Sequence, residues 1–296
     1  MEHIILKAKT VVEILPYIKK FSKSIIVIKY GGSAMLDEKI QMSIMQDIAL
    51  MKLVGLQPIV VHGGGPKINE TLQKVNKKSM FIDGLRVTDA ETMEIVEMVL
   101  SGKINKDIVQ GLENSGVHAV GISGKDGNTI QAHKAYANGK DIGFVGEVEK
   151  INIELIHHLI NNNFIPVIAP VGTDQNGNTY NINADYAALA IAGKLKAKKL
   201  IFLTDVEGVL EDVADGNSLI SKLYVDEIES YMDRGIISGG MIPKVKASVK
   251  GIEKGVEQVH ILDGRVEHCL LLEVFTQKGI GTMIEKRGEL YDAKLG

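Results

Sequence analysis

Two apolar runs in this chain stop abruptly at glycine loops, and they limit the fold more than any other feature. The first reads Ile25-Ile26-Val27-Ile28-Lys29-Tyr30-Gly31-Gly32, and the second Ile59-Val60-Val61-His62-Gly63-Gly64-Gly65-Pro66. A β-rich run that ends at glycines and gives way to a helical pattern is the strand–loop–helix unit of an α/β protein. Such a loop offers bare backbone N–H groups to an anion. Two of them predict two anions, or two parts of one highly charged transition state. Lys29 stands two residues before the first glycine. No G-x-x-x-x-G-K-[ST] occurs, so neither loop is a P-loop.

The same alternation continues along the chain. Strand 25–30 leads to a helix over 37–54, and strand 57–62 to a helix over 65–76, with Pro66 suited to its first turn. Two helical stretches cover 90–114, and strand 117–122 follows. Residues 128–150 alternate and carry Gly139, Gly143 and Gly146, which predicts hairpins. A helix over 153–162 precedes strand 164–170, a turn over 174–178 and an Ala-rich helix over 183–195. Strand 200–203 ends at Thr204-Asp205. Helices over 225–234 and 240–254, strand 256–262, a helix over 267–277 and strand 282–285 complete the series. The fold class is α/β, with a mostly parallel central sheet sandwiched by helices. A second βα series starts near 193–197, which predicts lobes over 23–195 and 196–296.

Residues 1–22 precede the first core strand. Ile4, Ile5, Val11, Val12, Ile14, Leu15 and Ile18 recur at near-helical spacing against Lys7, Lys9, Lys19 and Lys20. Pro16 should kink or break this helix. It either packs on its own domain or presents an apolar stripe to another subunit.

Bulk properties remove several function classes. The 34 Lys+Arg and 37 Asp+Glu are interleaved and sum to −3, which argues against nucleic acid. The apolar runs fall far below the ~20 residues that cross a bilayer. Lys7, Lys9 and Glu13 interrupt any secretory pattern. Cys269 is the single cysteine, so no intrachain disulfide forms, as fits the cytoplasm. It reads as an inert packing residue.

Ligands of open α/β sheets collect beyond the carboxyl ends of the strands. Lys29 is the only charge in its strand, and a lysine at the mouth of a buried strand calls for an anion such as phosphate. Arg86, in Asp83-Gly84-Leu85-Arg86-Val87-Thr88-Asp89, reads more simply as a surface salt bridge to Asp83 or Asp89 than as a carboxylate clamp. In Asn181-Ile182-Asn183-Ala184-Asp185, Asn183 could cap a helix with Asp185 in its first turn. The alternative gives Asn181 a substrate contact and Asp185 a grip on lysine ammoniums. Lys244, after Ser238-Gly239-Gly240, lies in the early turns of a helix, where an anion would favour it. His62 reads as a structural hydrogen-bonder.

In this order, Lys29-Tyr30-Gly31-Gly32, His62-Gly63-Gly64-Gly65-Pro66, Gly84-Leu85-Arg86-Val87-Thr88, Asn181-Ile182-Asn183-Ala184-Asp185, Thr204-Asp205-Val206-Glu207-Gly208 and Gly239-Gly240-Met241-Ile242-Pro243-Lys244 resemble the acetylglutamate kinases of the amino-acid kinase family. The resemblance covers about residues 22–296. Ser33 stands where Asn is more usual. The resemblance implies transfer of the ATP γ-phosphoryl group to the γ-carboxylate of N-acetyl-L-glutamate, a step of arginine biosynthesis. It makes Lys29 the stabiliser of the transferring phosphoryl group and Lys244 its counterpart on the leaving side. Asp185 holds both ammoniums. Gly31, Gly32, Gly64 and Gly65 supply N–H groups, the last pair to the substrate and the moving phosphoryl. Arg86 and Asn181 grip the substrate α-carboxylate and its neighbourhood. Thr204, Asp205 and Gly208 resemble the nucleotide loop. Mg²⁺ bridges ATP oxygens, and no residue is assigned to a metal.

By the same resemblance, 1–22 is an extension for oligomerisation and regulation, 23–195 the substrate-binding and dimerisation lobe, and 196–296 the nucleotide lobe. The first helix is similar to that of arginine-inhibited members, which implies a homo-oligomer, a dimer or a hexamer built as a trimer of dimers. L-arginine would then bind between the first helix and the last quarter, with His268, Glu273, Gly281 and Thr282 as candidates. A kinase for acetylaminoadipate shares much of this pattern. Other members of the family would share Lys29 and the nucleotide loop, but not both Gly84–Thr88 and Asn181–Asp185. A non-catalytic sensor would be marked by loss of Lys29, Asp185 or Lys244. An oxidoreductase would need a G-x-G-x-x-G that is absent.

Overall fold

The two apolar runs lie side by side as parallel strands. β1 (Ile25–Tyr30) pairs with β2 (Gln57–His62), Ile25 opposite Gln57 and Tyr30 opposite His62. The computed structural model describes residues 1–287, without the side chains of residues 2–4, 6, 7 and 33. The places of Ile4 and Lys7 in the first helix's pattern, the Ser33 side chain and the last nine residues of the second lobe therefore lie outside the described residues.

Ahead of β1 run α1 (Glu2–Glu13) and α2 (Leu15–Phe21), broken at Ile14. Pro16 sits in the first turn of α2, where its missing N–H leaves nothing unpaired. α3 (Glu38–Leu53) follows β1, and Asp37 caps it by accepting from the N–H groups of Lys39 and Ile40. α4 (Gly65–Lys74) follows β2, then the small hairpin of β3 (Phe81–Ile82) and β4 (Leu85–Arg86). α5 (Ala90–Glu97) passes through a π-helical segment, Met98–Ile104, into α6 (Asn105–Asn114). The helical pattern of 90–114 is thus one continuous run rather than two separate helices.

β5 (Ala119–Ser123) begins two residues later than its apolar run. β6 (Ile130–Ala137) and β7 (Lys140–Ile151) form one long hairpin. α7 (Glu154–Asn161), β8 (Ile165–Ala169), β9 (Val171–Thr173) and β10 (Thr179–Ile182) follow. β6, β7, β9 and β10 close into a small barrel. The Asp174 carboxylate holds the intervening turn by accepting from the N–H groups of Asn176 and Asn178 and from the Tyr180 hydroxyl. α8 (Ala184–Leu195), β11 (Lys199–Thr204), β12 (Lys222–Tyr224), α9 (Ile228–Asp233), α10 (Met241–Glu253), β13 (Gln258–Asp263), α11 (Cys269–Val274) and β14 (Thr282–Glu285) complete the described chain.

One eight-stranded sheet runs β12-β14-β13-β11-β1-β2-β8-β5. Every pair is parallel except β13–β14. Helices cover both faces, and β1 shows why it needs no polar alternation. Ile26 and Ile28 join the core that contains Ile44 of α3 and Ile108 of α6, whereas Val27 joins the core that contains Ala187 and Ile191 of α8. Each such side chain contributes about 1.5–3 kcal/mol by leaving water. Cys269 is buried in the first of these cores, and burial pushes its thiol up to about 12. That environment suits a packing residue, not a nucleophile.

Candidate active site

The loops that leave β1 and β2 touch. Gly63 N–H donates to Tyr30 O at 2.7 Å. A Cβ on Gly31 would sit 3.4 Å from both Gly63 N and Lys29 Nζ. Gly64 is tightly walled: a Cβ there would meet Ile104 Cδ1 at 2.4 Å and Leu100 Cδ2 at 2.6 Å, so those two buried side chains would have to shift. Gly65 opens α4, and nothing crowds its Cβ position. Gly32 takes a φ of +67°, a conformation that favours glycine.

Lys29 projects from the end of β1 into this junction. Its Nζ lies 2.9 Å from Asp185 Oδ1; the Lys29 side chain is largely shielded from solvent, and that of Asp185 is half-buried. Asp185 is presented by the first turn of α8. Asn183 caps that helix, accepting from the N–H groups of Asp185 and Tyr186. The cap and the lysine contact therefore coexist. Lys244, in the second turn of α10, lies 3.6 Å from Asp205 rather than against Asp185. Asp185 thus meets one ammonium in this structure, not two.

Arg86 departs from its simpler reading. Its guanidinium is buried, 6% exposed, and stacks over the Phe81 ring at 4.7 Å. It donates to Ser79 Oγ at 2.6 Å and to Gly65 O at 3.4 Å. Asp83 accepts instead from Asn138, and Asp89 pairs with Lys77 while capping α5. No carboxylate partners Arg86 among the described residues. Thr88 is fully buried, and its hydroxyl donates to Arg86 O at 2.8 Å and accepts from Asn181 Nδ2 at 3.3 Å. Arg86 and Asn181 are thereby linked through Thr88, a residue the sequence reading left without a role.

At the end of β11, Thr204 Oγ1 lies 3.1 Å from the carbonyls of both Val206 and Leu262 and accepts from Val206 N–H. Gly208, at φ +149°, passes so close to β14 that a Cβ would strike Thr282 Oγ1 at 2.5 Å. Thr282 accepts from Val209 N–H and donates to Ile220 O. It braces the Asp205–Gly208 loop from behind.

The four residues assigned to arginine do not gather in one place. His268 sits at the start of α11, and its Nδ1 lies 2.6 Å from Asp47 of α3. Glu273 and Gly281 do meet. Glu273 Oε2 accepts from the N–H groups of Ile280 and Gly281, and its Oε1 lies 2.6 Å from His260 Nδ1. His260 Nε2 lies 2.9 Å from Lys199 Nζ, over which the Phe21 ring of α2 is stacked at 4.8 Å. Burial lowers the Lys199 ammonium to about 8 and pulls His260 down as well. Burial alone would raise the Glu273 carboxyl, but its bonds from His260, Ile280 and Gly281 outweigh that and hold it low. The sequence reading missed Lys199 and His260. Their signal was a lysine and a histidine in neighbouring apolar strands, and only the pairing of β11 with β13 brings them together.

A groove of about 1180 Å³ lies between α3, α4 and α6 and has Gly64 at its edge. Lys29, Arg86, Asn181, Asp185 and Lys244 do not line it, so it is not where the charged groups converge. Among the described residues no three His, Cys, Asp or Glu side chains are grouped to hold a metal. No helix among them is long and apolar enough to cross a membrane.

The sequence profile of the amino acid kinase family matches residues 24–263. A protein named acetylglutamate kinase from Caldanaerobacter subterraneus is 58% identical over 282 residues, 95% of this chain and 94% of its own length. One of the same name from Syntrophomonas wolfei is 58% identical over 278 residues, 94% of this chain and 96% of its own. Among solved structures, N-acetylglutamate synthase from Neisseria gonorrhoeae, complexed with coenzyme A and N-acetyl-glutamate, matches with a TM-score of 0.84 at 24% identity. That match covers 95% of this chain and 64% of the synthase. Carbamate kinase from Giardia lamblia bound to AMP-PNP matches with a TM-score of 0.64 at 18% identity, over 90% of this chain and 99% of that one. These two structures bear on the fold alone.

Proposed function

The chain belongs to the amino acid kinase family, and from that premise we propose that it transfers the γ-phosphoryl group of ATP to the γ-carboxylate of N-acetyl-L-glutamate, in arginine biosynthesis. The observation that carries the substrate reading is Arg86. A buried guanidinium without a protein carboxylate, beside the carbonyl of a glycine loop, needs an anionic ligand. The α-carboxylate of the acceptor fits its fork, and Asn181 reaches the same neighbourhood through Thr88.

The acceptor γ-carboxylate is already ionised at neutral pH, so the reaction needs no general base. Its difficulty is bringing two anions together in line. Lys29 meets the transferring phosphoryl group, with Asp185 fixing its ammonium. Lys244 follows the leaving phosphate, a role supported by its place beside Asp205 of the proposed nucleotide loop of Thr204, Asp205 and Gly208. Backbone N–H groups of Gly31, Gly32, Gly64 and Gly65 supply fixed donors to the developing charge. Mg²⁺ bound with ATP would supply neutralisation of phosphate charge. Asp185, Asp205 and Asp263 face Lys29, Lys244 and Arg265, which fits a metal carried by ATP oxygens rather than by protein carboxylates.

Residues 23–195 form the substrate-binding and dimerisation lobe, the described residues from 196 to 287 belong to the nucleotide lobe, and the enzyme works in the cytoplasm as a homo-oligomer, a dimer or a trimer of dimers. L-arginine inhibits it from a site between the first helices and the last quarter of the chain. The contact of Phe21 with Lys199, and the Lys199–His260–Glu273 chain behind it, supports that location. Exposed Ile5, Val11, Val12 and Leu15 give α1 and its junction with α2 an apolar stripe for a second subunit.

ATP-dependent hydroxamate formation with N-acetyl-L-glutamate, glutamate, acetylaminoadipate and aspartate tests the reading. Turnover of N-acetyl-L-glutamate above the other three is expected. Turnover confined to another acceptor would overturn it.

A further inference from the structure

We propose that Asn105 and His62 form a positioning relay that aims the Gly64 N–H at the reacting groups. The inference rests on the phosphoryl-transfer reading above and adds two residues to it. Both side chains are fully buried, and their hydrogen bonds leave one consistent assignment of protons. Lys106 Nζ lies 3.0 Å from Asn105 Oδ1 and 2.9 Å from Gly121 O. An ammonium only donates, so the Asn105 atom facing it is the carbonyl oxygen. Asn105 Nδ2 faces Val167 O at 2.9 Å, Ile122 O at 3.3 Å and His62 Nε2 at 3.2 Å. Nδ2 shares its two hydrogens among these three and has no lone pair to accept with, so His62 Nε2 faces it as an unprotonated acceptor. A neutral imidazole that accepts at Nε2 carries its proton on Nδ1. That proton is donated to Gly63 O, 2.9 Å away.

The consequence lies in the next peptide bond. The Gly63–Gly64 peptide is planar and trans, so a pinned Gly63 carbonyl aims the Gly64 N–H in the opposite direction. Among the described residues that N–H donates to no protein acceptor. The preceding peptide is fixed as well, because Gly63 N–H is tied to Tyr30 O. On its far side Gly64 is walled by Leu100 and Ile104, both from the π-helical segment that ends immediately before Asn105. A π-segment costs helix geometry and recurs at functional sites. Here it brings Ile104 against Gly64 and Asn105 against His62. Burial lowers the His62 imidazole to about 4, so the neutral ring this geometry needs is the form present at neutral pH.

Wild type, His62→Leu, His62→Asn and Asn105→Ala are compared by hydroxamate formation from N-acetyl-L-glutamate and ATP. His62→Leu and Asn105→Ala are expected to lower kcat by about a hundredfold while the KM for ATP stays within about twofold. His62→Asn places an amide nitrogen near the position of Nδ1, where it can donate to Gly63 O, and is expected to recover most of kcat. A His62→Leu enzyme within about twofold of wild type overturns the relay. So does a His62→Asn enzyme as impaired as His62→Leu. Should the wild type itself not turn over N-acetyl-L-glutamate, the functional reading fails, and the relay is judged on the wild-type protein by ¹⁵N NMR of His62. That measurement also decides the matter if the variants do not fold. A neutral ring protonated on Nδ1 is expected, and a ring protonated on Nε2 or on both nitrogens at neutral pH rejects the relay.

Discussion

Asp185 Oδ1 lies 2.9 Å from Lys29 Nζ, so a carboxylate in the first turn of α8 fixes an ammonium at the end of β1. The two residues are far apart in sequence, and each is explicable alone, one as a stray strand lysine and the other as a first-turn acid behind a cap. Together they hold a positive charge over the glycine junction of β1 and β2. A long flexible side chain is thereby ordered before any anion arrives.

Lys29→Ala is expected to lower kcat by about 10²–10³ with a smaller change in the KM for ATP, as for loss of one preorganised charge donor. Asp185→Asn keeps the shape but leaves the ammonium without its counter-charge, and a smaller loss of kcat is expected. Steady-state kinetics on proteins with wild-type melting curves check both. A Lys29→Ala enzyme with normal turnover would falsify the assignment.

Arg86→Lys separates charge from geometry. Lysine keeps the positive charge but loses the fork and the stack on Phe81. The expected result is a rise of about tenfold or more in the KM for N-acetyl-L-glutamate, with the KM for ATP little changed. Equal effects on both substrates would argue that Arg86 supports the fold of the β3–β4 hairpin instead.

Much of this was legible in sequence wherever local pattern decides structure. β1 and β2 have the boundaries of their apolar runs, because strands buried on both faces read as continuous hydrophobic stretches. Asn183 declared itself as a cap because that bond is made within three residues. Arg86 was misread because the choice between Asp83, Asp89 and an inward turn depends on Phe81 and Ser79. β9 and β10 went unseen because strands of three and four residues owe their existence to barrel partners elsewhere in the chain. His268 and His260 are both single histidines near the end of the chain. Only the folded structure shows that His260, and not His268, meets Glu273, because the contact joins the strand β13 to the helix α11.

Removing residues 1–20 leaves Phe21 as the first residue of the chain and strips away the exposed apolar stripe. The expected product is a catalytically competent dimer with a weak response to L-arginine, measured by light scattering and by inhibition curves. A truncated protein that stays hexameric and fully arginine-sensitive would sink the regulatory reading. Glu273→Gln in the full chain should weaken inhibition without lowering uninhibited kcat, since Glu273 touches His260 and the Ile280–Gly281 backbone rather than the glycine loops.

Acid sensitivity follows from His62. In the unfolded chain its imidazole titrates near the ordinary value of about 6.5. In the folded protein burial lowers it to about 4. Above the unfolded value neither state holds the proton, and the contribution to stability is fully present. Between about 6.5 and about 4 the unfolded chain binds a proton that the folded one refuses, so stability falls as pH falls. The total loss from this residue is about 3 kcal/mol, complete once the pH is below the folded value. His62→Asn removes the proton site from both states. Urea denaturation midpoints across that pH range should therefore decline less steeply for the variant than for wild type. His260 is also held down by burial and titrates in the same direction, but it is present in both proteins, so the difference between them isolates His62. Parallel acid limbs would mean that His62 is not the buried neutral ring that its bonds to Gly63 and Asn105 require.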